Sequence, residues 1–238
     1  MKSVQLTLLA ILLLLGLQSC MEELEDPAYS EVPHIELEEA QITLGRTIDT
    51  LSITISFRDG NSDLGLGAED NIPPFHELDF PIDSSGDYIL FDSKKDIYDC
   101  RDFMYWRWPA DSGYNEYMAD TVRYVRNEYY FNFKVDLLIE EEGEYKKYDY
   151  SKNCSQGLGG RFPRIDSLGR GNTIKECCDK DYSTFEIYQK TPWEGKITYT
   201  AISAFRSRFR QKSIKFRIYI YDRALNESNV VESEPFFF

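Results

Sequence analysis

The chain has 238 residues, with 27 Lys and Arg against 41 Asp and Glu, for a formal net charge of −14. That acidic excess argues against DNA, RNA or anionic lipid as the main partner, because phosphate surfaces are held by clustered cations. Two histidines, His34 and His76, leave little material for acid–base work near neutral pH.

The first element is a leader. Lys2 precedes an apolar run from Leu6 to Leu17, 12 residues long. That suits a signal-peptide core and falls short of the ~20 residues a membrane-spanning helix needs. Leu17-Gln18-Ser19-Cys20 closes the run and resembles the lipobox of bacterial lipoproteins. Gln18 departs from the small or β-branched residue usual there, whereas Ser19 fits. The resemblance implies cleavage after residue 19 and palmitate-type acylation of Cys20. Several acyl chains hold a protein firmly, since each buried methylene is worth ~0.8 kcal/mol. Residues 20–33 then form an acidic tether with Glu22, Glu23, Glu25 and Asp26. Such runs are solvated, and this one also resembles the surface-export signal of Bacteroidetes lipoproteins. The expected location is the outer membrane, lipid-anchored at the cell surface, with a periplasm-facing arrangement as the alternative.

From residue 34 onward the pattern is β. Ile35 and Leu37, then Ile42 and Leu44, predict a first strand broken by a bend. Leu51, Ile53, Ile55 and Phe57 alternate with polar residues, the period of a half-buried strand. Asp59, Asn61 and Asp63 follow in a tight loop that ends at Gly65. Oxygens at alternate positions can wrap calcium, as in the first half of an EF-hand loop. Leu64 stands where that loop wants glycine, and Asp70 where it wants a bidentate Glu. Asx-rich turns bonded to their own backbone use the same residues.

Residues 70–190 are less regular. Residues 94–106 and 173–181 read as short helices. Cys100, Cys154, Cys177 and Cys178 are an even set, which in an oxidising compartment predicts two disulfides with three alternative pairings. Adjacent Cys177 and Cys178 disfavour bridging each other, and a Cys100–Cys154 bridge would close a long loop. Tyr105, Trp106 and Trp108 are the strongest candidates for an exposed aromatic platform, because consecutive strand residues cannot all face inward. Such a platform suits a glycan or a protein at the cell surface. The other aromatics read as core.

Alternation returns at Phe131 to Ile139, at Ile197 to Phe205 and at Ile214 to Ile220. The basic run of Arg206, Arg208, Arg210, Lys212, Lys215 and Arg217 reads as the wet face and loop of a β-hairpin. Asp222 to Asn229 form a second Asx-rich loop before a final strand near Pro235. Here Asp222 and Asn226 add oxygens that can complete a calcium site with Asp59, Asn61 and Asp63, while Arg223 offers Asp59 or Asp63 a partner that needs no metal.

Asp59 to Gly65 and Asp222 to Asn229, together with the lipobox, resemble a family of Bacteroidetes surface lipoproteins with immunoglobulin- or cadherin-like domains. The resemblance covers the first two and last two strands and lends no activity. The fold expected from the strand pattern is all-β: an immunoglobulin-like antiparallel β-sandwich over residues 34–238 with long inserted, disulfide-stapled loops at about 70–190. Two domains are the alternative. The function expected is non-catalytic, binding or structural, with accessory glycan capture as the runner-up. No G-x-S-x-G, H-E-x-x-H or phosphate-cradling glycine loop occurs.

Overall fold

A computed structural model describes residues 29–67, 69–107, 119–155, 157–164, 184–190 and 193–238. The strands are β1 (His34–Thr43), β2 (Asp49–Asp59), β3 (Leu78–Asp79), β4 (Phe103–Arg107), β5 (Ala119–Arg123), β6 (Val125–Arg126), β7 (Phe133–Glu141), β8 (Glu144–Lys147), β9 (Thr184–Lys190), β10 (Trp193–Ser203), β11 (Ser213–Ile220), β12 (Val231–Glu232) and β13 (Phe236–Phe237). One helical turn, α1 (Phe205–Arg208), follows β10. The protein is all-β, and its sheets are antiparallel.

Two sheets carry the body. One runs β1-β2-β10-β9 and the other β12-β11-β7-β8, with β13 also paired to β11. Their apolar faces meet in one buried cluster that includes Ile53, Ile55, Ile197, Val135, Leu137, Phe216 and Ile218. The cause is the period of two: in β2 every odd residue from Asp49 to Asp59 is buried, and in β11 every even residue from Ile214 to Ile220. Across the sheets, Phe133 stacks on Tyr199 with ring centroids 4.6 Å apart.

The bend expected in the first strand is a bulge. Pairing with β2 slips between Leu37 and Glu39, after which Ala40 and Ile42 pack against the core where Glu39 and Gln41 do not. The extra residue resets the phase of the strand. Leu44 lies beyond β1 and is exposed. β7 turns into β8 through Glu142 and Gly143, both at positive φ, the backbone a two-residue hairpin requires.

Two sequence expectations need correction. Residues 94–106 form no helix; turns lead into strand β4. The local carboxylates explain this, since Asp92 accepts the Lys94 amide and Asp99 the Arg101 amide, and these bonds cap separate turns. The basic run is likewise no hairpin. β10 and β11 belong to different sheets, and α1 carries the chain across. Residues 173–181 lie outside the described residues.

Small ladders β3-β6 and β4-β5 stand apart from the two main sheets. The Cys100–Cys154 disulfide, with Cα atoms 5.7 Å apart, ties this satellite to the body. Cys154 directly follows a 3-10 turn whose Tyr150 lies in the main core. Closing a loop of that length contributes on the order of 4 kcal/mol by the chain-entropy account. Cys177 and Cys178 lie outside the described residues.

Ile55 sits fully buried between Leu37 and Ile197 on the flanking strands. Denaturant unfolding of Ile55→Ala is expected to show a loss of about 2–5 kcal/mol. Thr54→Ala on the opposite face, which removes the hydroxyl pair with Thr198 and one part-exposed methyl, should cost about 1 kcal/mol.

Candidate cation site

Asp59 continues the inward series of β2 one step past Phe57, and Asp222 continues that of β11 one step past Ile220. Both are buried, at 0% and 1% exposed. The two sequence-predicted loops therefore meet: Leu64 bridges Asp222, and the Arg223 amide donates to the Asp63 carbonyl at 3.2 Å. One carboxylate oxygen from each of Asp59, Asp63 and Asp222 lies within 4.8 Å of the other two.

Local bonds hold each loop in shape. The Asp63 amide donates to Asp59 Oδ2 at 2.9 Å. The Asn226 amide donates to Asp222 Oδ1 at 2.7 Å and its side-chain Nδ2 to Asp222 Oδ2 at 2.8 Å. Gly65, at φ +85°, lies so close to Pro163 that a Cβ would sit 2.0 Å from its carbonyl oxygen. Asp59 Oδ1 and Asp63 Oδ1 are buried without a hydrogen-bond partner. Asp49, at the other end of β2, makes an instructive contrast. It is also buried, yet its two oxygens accept the Gly45 and Arg206 amides.

Burial, followed by the charges of Asp63 and Asp222, pushes the Asp59 carboxyl up to about 7 from 3.8. Asp63 is raised as well, first by burial and then by Asp222, with Arg223 opposing. A carboxyl in such surroundings holds its proton because the charged form has lost its water.

The expected ligands divide accordingly. Asp59, Asp63 and Asp222 come together, whereas Asn61 is exposed on the rim. Asn226 presents its amide nitrogen, not its oxygen, to Asp222. Arg223 does not take up the carboxylates as its principal partners; its Nη1 donates to the carbonyls of Leu64 and Gly65 at 3.1 and 3.3 Å. Asp70 is bound by Arg164, so it plays no EF-hand part.

Residues that sequence reasoning passed over also build this end. Asn229 clamps β1 by accepting the Ile35 amide and donating to its carbonyl. Ser228 Oγ accepts the Ile220 amide. Their place in the second Asx-rich loop was the available signal. Elsewhere, Tyr105 is 68% exposed, and Trp106 packs on Phe80 with centroids 5.0 Å apart. Trp108 and Cys20 lie outside the described residues. No family model matches the chain, and no curated protein or solved structure matches it.

Because the folded-state value of Asp59 lies above its ordinary value, its favourable contribution is complete below about pH 4 and is lost as pH rises through about 7. In chelator, denaturant unfolding should show stability falling across that window by up to roughly 4 kcal/mol, with Asp63 adding in the same sense. Asp59→Asn should flatten the decline, and a wild-type profile already flat there would contradict the burial argument.

Proposed function

We propose that this protein is a lipid-anchored outer-membrane protein, exposed at the cell surface, whose β-body has a non-catalytic binding or structural role. The observation that carries this reading is the Cys100–Cys154 disulfide, which staples the satellite ladders to the body. Structural bridges of this kind persist in oxidising, exported compartments, the destination that the leader and Cys20 imply. The sheet orders β1-β2-β10-β9 and β12-β11-β7-β8 support an immunoglobulin-like reading, since such sandwiches set strands A-B-E-D against G-F-C. No described helix is long and apolar enough to cross a membrane. Attachment in this reading rests on acyl chains at Cys20.

Detergent-phase partitioning and intact mass check the anchor. The wild-type chain is expected to begin at an acylated Cys20 and to stay with outer membranes, while Cys20→Ala enters the soluble fraction. Identical partitioning of both, with no lipid mass on the wild type, would remove the placement.

A second reading, accessory capture of polysaccharide, draws on the exposure of Tyr105 on one face of β4 and on the Trp106–Phe80 pair on the other. Sugar rings stack their apolar faces on such surfaces. Retention on immobilised polysaccharide should fall at least tenfold in Tyr105→Ala with Trp106→Ala. Unchanged retention would discard the glycan version.

A further inference from the structure

We infer that Asp59, Asp63 and Asp222 hold one hard divalent cation, with calcium preferred over magnesium, and that this cation clasps the β2–β3 and β11–β12 connections together. The acidic cluster alone would not justify this. The second observation is that Asp59, 0% exposed, keeps Oδ1 without any partner while its carboxylate shares the cluster with the other two. Asp63 Oδ1 is in the same position. At Asp49 each carboxylate oxygen accepts its own backbone amide, from Gly45 and Arg206, whereas at Asp59 the Asp63 and Leu64 amides still leave Oδ1 without a bond.

Charge gives the ion's valence. Three carboxylates against the single guanidinium of Arg223, bonded to adjacent carbonyls, leave a formal −2 when all are ionised. A divalent cation cancels that. The donors are all oxygen, with no imidazole or thiolate among them, which favours a hard ion over zinc.

Tolerance of geometry separates calcium from magnesium. The three oxygens lie within 4.8 Å of one another, close enough to share one ion. Loops pinned by the Asp63, Arg223 and Asn226 amides leave the carboxylates little freedom to reach the near-ideal octahedron that magnesium demands, whereas calcium accepts an irregular shell of roughly 6–8 oxygens. Asp63 is half-buried and Asn61 exposed, so the site opens to solvent on the side where an ion enters and water completes its shell.

The role follows from position. The two loops grow from β2 and β11, which lie in different sheets, and the ion bonds to both. It therefore ties the sheets together at one end. This site does not depend on the lipid anchor, so either can fail alone.

The test is thermal melting of the full chain in detergent at pH 7.5, in chelator, in calcium chloride and in magnesium chloride, beside calorimetric titration of the wild type with calcium. At a hundredfold excess over the dissociation constant, calcium should raise the midpoint by about 5–10 °C. Magnesium should give less than half of that rise, and titration should give one ion per chain. Asp59→Asn and Asp222→Asn should abolish the calcium shift, and Asp87→Asn, on an exposed turn, should keep it. Equal midpoints in calcium and chelator, with no binding at millimolar calcium, would overturn the site, as would a full shift in Asp59→Asn with Asp63→Asn. Equal shifts from magnesium and calcium would overturn the choice of ion. The wild-type measurements decide the matter even where a variant fails to fold.

Discussion

The alternation that builds the core does not stop where the apolar residues stop. In β2 and β11 it carries one further inward position, and that position is an aspartate in each: Asp59 and Asp222. Burying a carboxylate is costly unless it is neutralised or well bonded. Much of the local construction at this end answers that cost. The Asp63 amide, the Asn226 amide and side chain, and the Leu64 bridge all converge on these two groups or on the loops that follow them. Where amides run out, two oxygens remain without partners, and chemistry becomes available.

The same end receives Tyr29 and Ser30, which lead into β1. The Gly60 amide donates to the Ser30 carbonyl at 2.9 Å, and a Cβ at residue 60 would sit 2.4 Å from the Tyr29 carbonyl oxygen. Only glycine allows that approach. Tyr29 in turn donates to Glu194 Oε2 and lies under Arg58. Tyr29 and Ser30 are thus fastened beside the carboxylate loops. Order in those loops and order in residues 29 and 30 are physically linked.

How much of this was legible in the sequence depended on what kind of information each element required. Strands β2, β7, β10 and β11 were readable because one face is apolar and a period of two runs through them, broken in β7 where Leu138 is buried as well. Alternation states which face is buried but not which sheet a strand joins, so Arg206 to Arg217 looked like a hairpin when α1 in fact carries the chain between sheets. Ladders of two residues, such as β3-β6, are too short to leave a period. The meeting of the Asp59 and Asp222 loops was anticipated from their complementary oxygen-bearing residues. The directions of Arg223 and Asn226 were not, because a guanidinium or an amide chooses among partners only once the tertiary contacts exist. Asp222 nevertheless stands two residues after Ile220, in phase with the buried series, and its burial could have been read from that spacing alone.

Crystallography at atomic resolution in the presence of calcium tests the account most directly. It predicts Asp59 and Asp222 turned inward at the same end of the body, with one ion bonded to Asp59, Asp63 and Asp222 at about 2.3–2.6 Å. Carboxylates of Asp59 and Asp222 directed apart into solvent, or paired to Arg223 with no ion between them, would contradict it.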